Sequence, residues 1–182
     1  MMMTTIRTKR YALRSFASAM LLLAASPGAA LADGVADNTV AAGQPFPAQA
    51  ARYKGKLFEL IDPDEAKYDA AFARSFDAML APYAKLNRGL RNRITSGPTA
   101  NSSYVQAGAD AYVYFGICQA HQCDNTTMDI LFNPSKHKMV GKLLDRCKPV
   151  WLGSPDAAEQ ALLNARHEIA YPATSRNCGA AQ

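Results

Sequence analysis

The sequence predicts an α+β fold: an antiparallel β-sheet meander with helices packed on it and a protruding hairpin loop closed by a disulfide. Three observations predict it. Short runs rich in β-branched and aromatic residues alternate with short turns between Ser103 and Leu144. Runs with helical spacing stand on either side of them. Cys118 and Cys123 fall between the two strongest β-rich runs.

The chain opens with four basic residues, Arg7, Lys9, Arg10 and Arg14. An apolar run from Ala17 to Ala25 follows, and then the small residues Ala30-Leu31-Ala32. This is the pattern of a cleaved signal peptide over residues 1–32. Its apolar run is about half of the ~20 residues a spanning helix needs, so no membrane anchor is expected. Removing the segment takes four of the 20 basic residues and none of the 15 acidic ones, which leaves 16 against 15. The basic balance of the whole chain is thus a targeting feature and gives no reason to expect a nucleic-acid partner. The remaining 150 residues suit one domain. Residues 33–56, with Gly43, Pro45 and Pro47, lack clean periodicity and read as a flexible arm; residues 57–182 form the single domain.

Asp62-Pro63-Asp64-Glu65 has the form of a helix start, with a cap, proline at the first helical position and glutamate three residues after the cap. Tyr68, Phe72, Phe76, Met79, Leu80 and Tyr83 then recur at helical spacing and form the core face of that helix. Arg88, Arg91 and Arg93 follow, and read as a solvated face, with an anionic-ligand patch as the alternative. Strands are expected at Tyr104–Gln106, Ala111–Cys118, Thr127–Phe132 and Met139–Leu144. Ser154-Pro155-Asp156 caps a last helix with Ala158, Leu162, Ala165 and Ile169 on one face.

The four cysteines, Cys118, Cys123, Cys147 and Cys178, lie behind the signal segment, and an even number in an oxidising compartment reads as disulfides. Three pairings exist. Local adjacency favours Cys118–Cys123, with Cys147–Cys178 tethering the tail. On chain entropy, closing the smaller ring is worth roughly 2 kcal/mol and the larger a little under 4 kcal/mol. The smaller ring encloses Gln119, Ala120, His121 and Gln122, which offer polar atoms and little apolar surface, so the loop is better suited to contact than to packing.

Cys118-x-x-His121-x-Cys123 at a hairpin tip, behind a signal peptide, resembles the inhibitor of vertebrate lysozyme (Ivy) family, whose loop reads Cys-Lys-Pro-His-Asp-Cys. The likeness spans about Leu57 to Ile169, with Trp151-Leu-Gly-x-Pro-Asp as weaker support. It implies a periplasmic or secreted inhibitor of c-type lysozyme that protects the cell wall, with no cofactor and no metal. The Cys118–Cys123 loop would enter the catalytic cleft, and His121 would hydrogen-bond the two catalytic carboxylates. A host lysozyme, a related muramidase or an endogenous lytic transglycosylase are all targets of this kind, and monomer or homodimer is left open. Gln119, Ala120 and Gln122 depart from the family's Lys, Pro and Asp. Alanine removes a backbone restraint before His121, and glutamine removes a carboxylate beside the imidazole.

Two other readings stand beside this one. Cys118, His121, Cys123 and His137 are residue types that hold zinc, although one residue between His121 and Cys123 is tight spacing. A cell-envelope structural or carbohydrate-binding module is the second. No enzyme is expected: there is no nucleophile elbow and no phosphate-binding glycine pattern, and His137 and His167 read as solvated.

Overall fold

A computed structural model describes residues 45–107, 109–171 and 178 of the chain. The expected signal segment and the first part of the arm, residues 33–44, lie outside the described residues. Ten elements run in the order α1 (Ala48–Ala51), α2 (Leu57–Ile61), α3 (Ala70–Ala84), α4 (Leu90–Thr95), β1 (Ser103–Ala107), β2 (Asp110–Cys118), β3 (Thr127–Asn133), β4 (Lys138–Asp145), β5 (Lys148–Leu152) and α5 (Ala157–Ala170). The strands form one antiparallel sheet in sequence order, β1-β2-β3-β4-β5. The α+β meander is therefore present, with one more strand than expected. β5 carries Pro149, which cannot donate to a ladder but is tolerated because β5 is an edge.

Alternation along the central strands sorts their side chains onto two faces. Val113, Phe115, Ile117, Met128, Ile130 and Phe132 join Phe72, Phe76, Met79 and Leu80 of α3 in the larger core. Tyr112, Tyr114, Leu131 and Val140 face the other way, onto Leu162 and Leu163 of α5. The sheet is thus covered by helices on both sides. Each buried phenylalanine contributes roughly 1.5–3 kcal/mol of transfer energy to this core.

Three expectations about the helices are corrected. Part of the expected arm is core: Ala50 and Tyr53 are buried, and the Tyr53 ring packs against Phe72 and Phe132. The first long helix starts at Ala70 rather than at Asp62. Asp62 instead ends α2, where its N–H donates to Phe58 O, and its side chain accepts from the N–H of Asp64, closing a local turn. Asp69 is the true cap, accepting from the N–H groups of Ala71 (3.0 Å) and Phe72 (3.1 Å).

The third correction concerns α5, which does not present the expected face. Ile169 is 69% exposed, and the buried positions are Glu159, Leu162, Leu163 and His167. Two of these four are polar because the sheet supplies partners for them. Glu159 closes a capping box with Asp156 and accepts from Lys138 Nζ (2.6 Å) and the Tyr112 hydroxyl (3.2 Å). His167, expected in solvent, is 5% exposed, and its Nδ1 lies 2.5 Å from Oδ2 of the fully buried Asp129. The Tyr114 hydroxyl donates to the other oxygen of Asp129 at 2.5 Å. Burial, reinforced by the Asp129 charge, pushes the Tyr114 phenol far above its usual range and keeps it a donor.

A buried carboxylate stripped of one partner is costly. His167→Ala should lower unfolding free energy by about 3–5 kcal/mol in urea denaturation. His137→Asn, at an exposed turn position whose left-handed backbone asparagine accepts, should change it by less than about 0.5 kcal/mol. Equal effects would mean that the Asp129 pair does not anchor α5.

Candidate functional site

β2 ends at Cys118 and β3 resumes at Thr127 directly opposite, so residues 119–126 are expelled from the sheet as one loop. Its backbone is internally bonded. Gln119 N donates to Thr126 O (3.0 Å), extending the ladder by one pair, and Gln122 N donates to Gln119 O (3.0 Å), closing a four-residue turn. Gln122 O then accepts from Asn125 (3.1 Å) and Thr126 (2.8 Å). His121 sits at the third position of the turn with φ 60°, exposed, and its ring makes no hydrogen bond among the described residues. Positive φ at that position is the geometry of type II turns, and histidine is among the residues that tolerate it.

The Cys118–Cys123 disulfide closes the neck of this turn, with Cα atoms 5.0 Å apart. Cys147 pairs with Cys178, and the described cysteines include no free thiol. The larger bridge does more than tether the tail. Cys147 N donates to Asn125 O (2.9 Å), and Cys178 Sγ lies 3.8 Å from Asp124 O, so both bridges sit at the loop. Two disulfides fit an extracellular or periplasmic protein. Among the described residues no helix is long and apolar enough to cross a membrane.

Two further supports come from the chain before β1, and neither was anticipated. Arg93, read as part of a solvated face, points inward: its Nη1 donates to Gln119 Oε1 (3.2 Å), and its guanidinium stands 3.5 Å from both oxygens of the buried Asp145. The Tyr83 hydroxyl reaches the same carboxylate (3.3 Å), and burial, with Asp145 beside it, raises the Tyr83 phenol. Arg91 pairs at the surface with Asp77, and Arg88 is exposed, as a solvated face requires. The second support is Gly97. Ala100 N donates to Gly116 O (3.1 Å) and Thr99 bridges Ile117, which brings Gly97 against the base of the loop.

The expected site residues Cys118, Gln119, Ala120, His121, Gln122 and Cys123 thus lie together, while His137 occupies the β3–β4 turn at the opposite end of the sheet. The length of β3 puts that turn roughly 20 Å away. With both cysteines in a disulfide, the four residues of the zinc reading do not assemble. Among the described residues no group of three His, Cys, Asp or Glu side chains is placed to hold a metal. A separate groove of about 440 Å³ opens between α3 and β5, lined in part by Tyr83, Leu86, Trp151, Ser154 and Gln160. The chain matches no family model, no curated protein and no solved structure.

A methyl group on Gly97 would stand 2.0 Å from Cys118 O and 2.6 Å from Ala120 N, both backbone atoms that cannot rotate away. Gly97→Ala should therefore push the loop off its base, at a stability cost of about 1–3 kcal/mol. Hydrogen exchange at the amides of Gln122, Asn125 and Thr126 should speed up before that of the strands. Unchanged protection there would show that the loop is not held from this side.

Proposed function

We propose that this protein is a periplasmic or secreted inhibitor of c-type lysozyme, or of a related muramidase or lytic transglycosylase, that inserts the Cys118–Cys123 loop into the active-site cleft. The observation that carries the reading is His121: an exposed imidazole at the apex of a covalently closed turn, on a loop also held by Arg93, Gly97 and the Cys147 hairpin. The cleft of a c-type lysozyme contains a carboxylic acid of raised pKa near an ionised carboxylate. Imidazole has ring nitrogens on opposite edges. It accepts from the acid while donating to the carboxylate, or donates to both when protonated.

Rigidity supplies the affinity that so small a loop would otherwise lack. An unconstrained segment must be ordered on binding, and roughly 2 kcal/mol of order already present in the ring is worth about thirtyfold in Kd. The resemblance in loop spacing supports the same reading, as does the oxidising compartment that the disulfides fit. The loop is Gln119-Ala120-His121-Gln122, without the family's lysine, proline and aspartate, so the imidazole is its one group that changes charge near neutral pH and donates from both edges when protonated.

The groove beside β5 favours a second reading, a module that binds cell-wall carbohydrate. Trp151 is 40% exposed there, and an indole face beside a serine hydroxyl and a glutamine amide suits a sugar ring. Co-elution with purified lysozyme, set against binding to isolated cell wall, separates the two.

Turbidity assays of cell-wall lysis with c-type, goose-type and bacterial muramidases in parallel test the first reading. His121→Ala should weaken inhibition by about 2–4 kcal/mol, the cost of truncating one partner of a buried charge-assisted hydrogen bond. Inhibition unaffected by His121→Ala would mean that the loop is not the plug.

Replacing Cys118 and Cys123 by serine leaves His121 in place but makes the loop order on binding. Inhibition should weaken by about 2 kcal/mol, with a smaller fall in melting temperature than when the larger bridge is broken. A mutant that melts far lower yet inhibits as well as wild type would make the small ring purely structural.

A further inference from the structure

Three non-glycine residues with left-handed backbone gather at the loop end of the sheet: His121 (φ 60°), Arg146 (φ 52°) and Cys147 (φ 64°). The last two form the whole β4–β5 turn, since Asp145 pairs with Lys148. Two positive-φ residues are what a type I′ hairpin turn requires, and Asn-Gly is the pair that adopts it most readily. Cys147 is explained by its bridge to Cys178. No bridge explains Arg146, a long side chain in a conformation that L residues disfavour.

The turn and the loop are fastened to each other. Cys147 N donates to Asn125 O (2.9 Å), and Arg146 N donates to the side-chain oxygen of the buried Thr126 (3.3 Å). A third link is the approach of Cys178 to Asp124. The two hairpin tips are therefore one rigid surface. On it Arg146 and Lys148 are exposed with no acidic partner among the described residues, whereas Arg52, Arg91 and Arg93 are each paired with an aspartate. Asp124 is the exposed carboxylate of the two turns, so among their described residues positive charge exceeds negative.

We infer that the Arg146–Cys147 turn is a second contact element of the target-binding surface, with Arg146 taking a carboxylate at the rim of the cleft that His121 enters. This rests on the inhibitor reading. It gives the otherwise disfavoured arginine a role: guanidinium is the side chain best suited to a carboxylate, and a cation held at the rim steers an acidic cleft onto the loop before the imidazole engages.

Arg146→Asn tests it without disturbing the fold, because asparagine is at home in left-handed backbone and keeps the turn. With a c-type lysozyme in the turbidity assay, Arg146→Asn should weaken inhibition about tenfold and flatten the dependence of association rate on ionic strength. Arg146→Lys should retain most of the effect and Arg146→Glu should lose more than asparagine does, with melting temperatures at or above wild type for Arg146→Asn. Wild-type inhibition by both the asparagine and glutamate variants, alongside loss in His121→Ala, would overturn the role of Arg146 alone. Absence of inhibition by the wild-type protein against every muramidase tried would overturn the inhibitor reading and this inference with it.

Discussion

The register of β2 against β3, with Cys118 opposite Thr127, governs both the core and the loop. In this register Ile117, Met128, Phe115 and Ile130 face α3, and Asp129 faces α5, where His167 meets it. A slip of one residue would turn Asp129 into the apolar layer and the aromatic set onto α5. The same register determines where the ladder stops, and hence that eight residues leave it together with a cysteine at the neck. Packing in the middle of the sheet and geometry at its tip are thus consequences of one alignment. The buried Asp129 makes any other alignment expensive.

The parts of this fold that are legible in the sequence are those whose signal is local. Tyr112 to Cys118 and Met128 to Phe132 are short, largely apolar runs bounded by turn-forming stretches, and Asp156 with Glu159 forms a capping box at the start of α5. Where local signals compete, the reading goes astray. Asp62-Pro63-Asp64-Glu65 is a stronger written helix start than Asp69-Ala70-Ala71-Phe72, yet the N–H of Asp69 returns to Leu60 O and only the later aspartate stands free to cap. β5 was hidden by its proline. The buried face of α5 was hidden by chemistry: Glu159 and His167 count as polar in any periodicity, and what buries them are Lys138, Tyr112 and Asp129, which lie far away along the chain.

The same distinction holds at the loop. Two cysteines around a histidine can be seen at a glance, because covalent closure depends on near neighbours. The structure that holds the ring in place cannot. Arg93 and Asp145 are separated by 52 positions, and Gly97 matters only because the strand pairing of Thr99 and Ile117 lays it on the loop. The loop is consequently stiff for two independent reasons: its own bonds, and a base formed by α4, the chain before β1 and the β4–β5 hairpin. Hairpin tips usually report the mobility of their own few residues. This one is built more like an extension of the sheet.

The larger disulfide has a consequence for motion. It joins Cys147, at the start of β5, to Cys178, beyond the end of α5, so that β5 and α5 lie within one covalent circle. Should the contacts of α5 to the sheet open transiently, the helix remains leashed at both ends. Its return is then an intramolecular event at high effective concentration, and the opened form has few alternatives to explore. The bridge thus acts as a hinge: the helix layer can lift and fall back, but it cannot wander off.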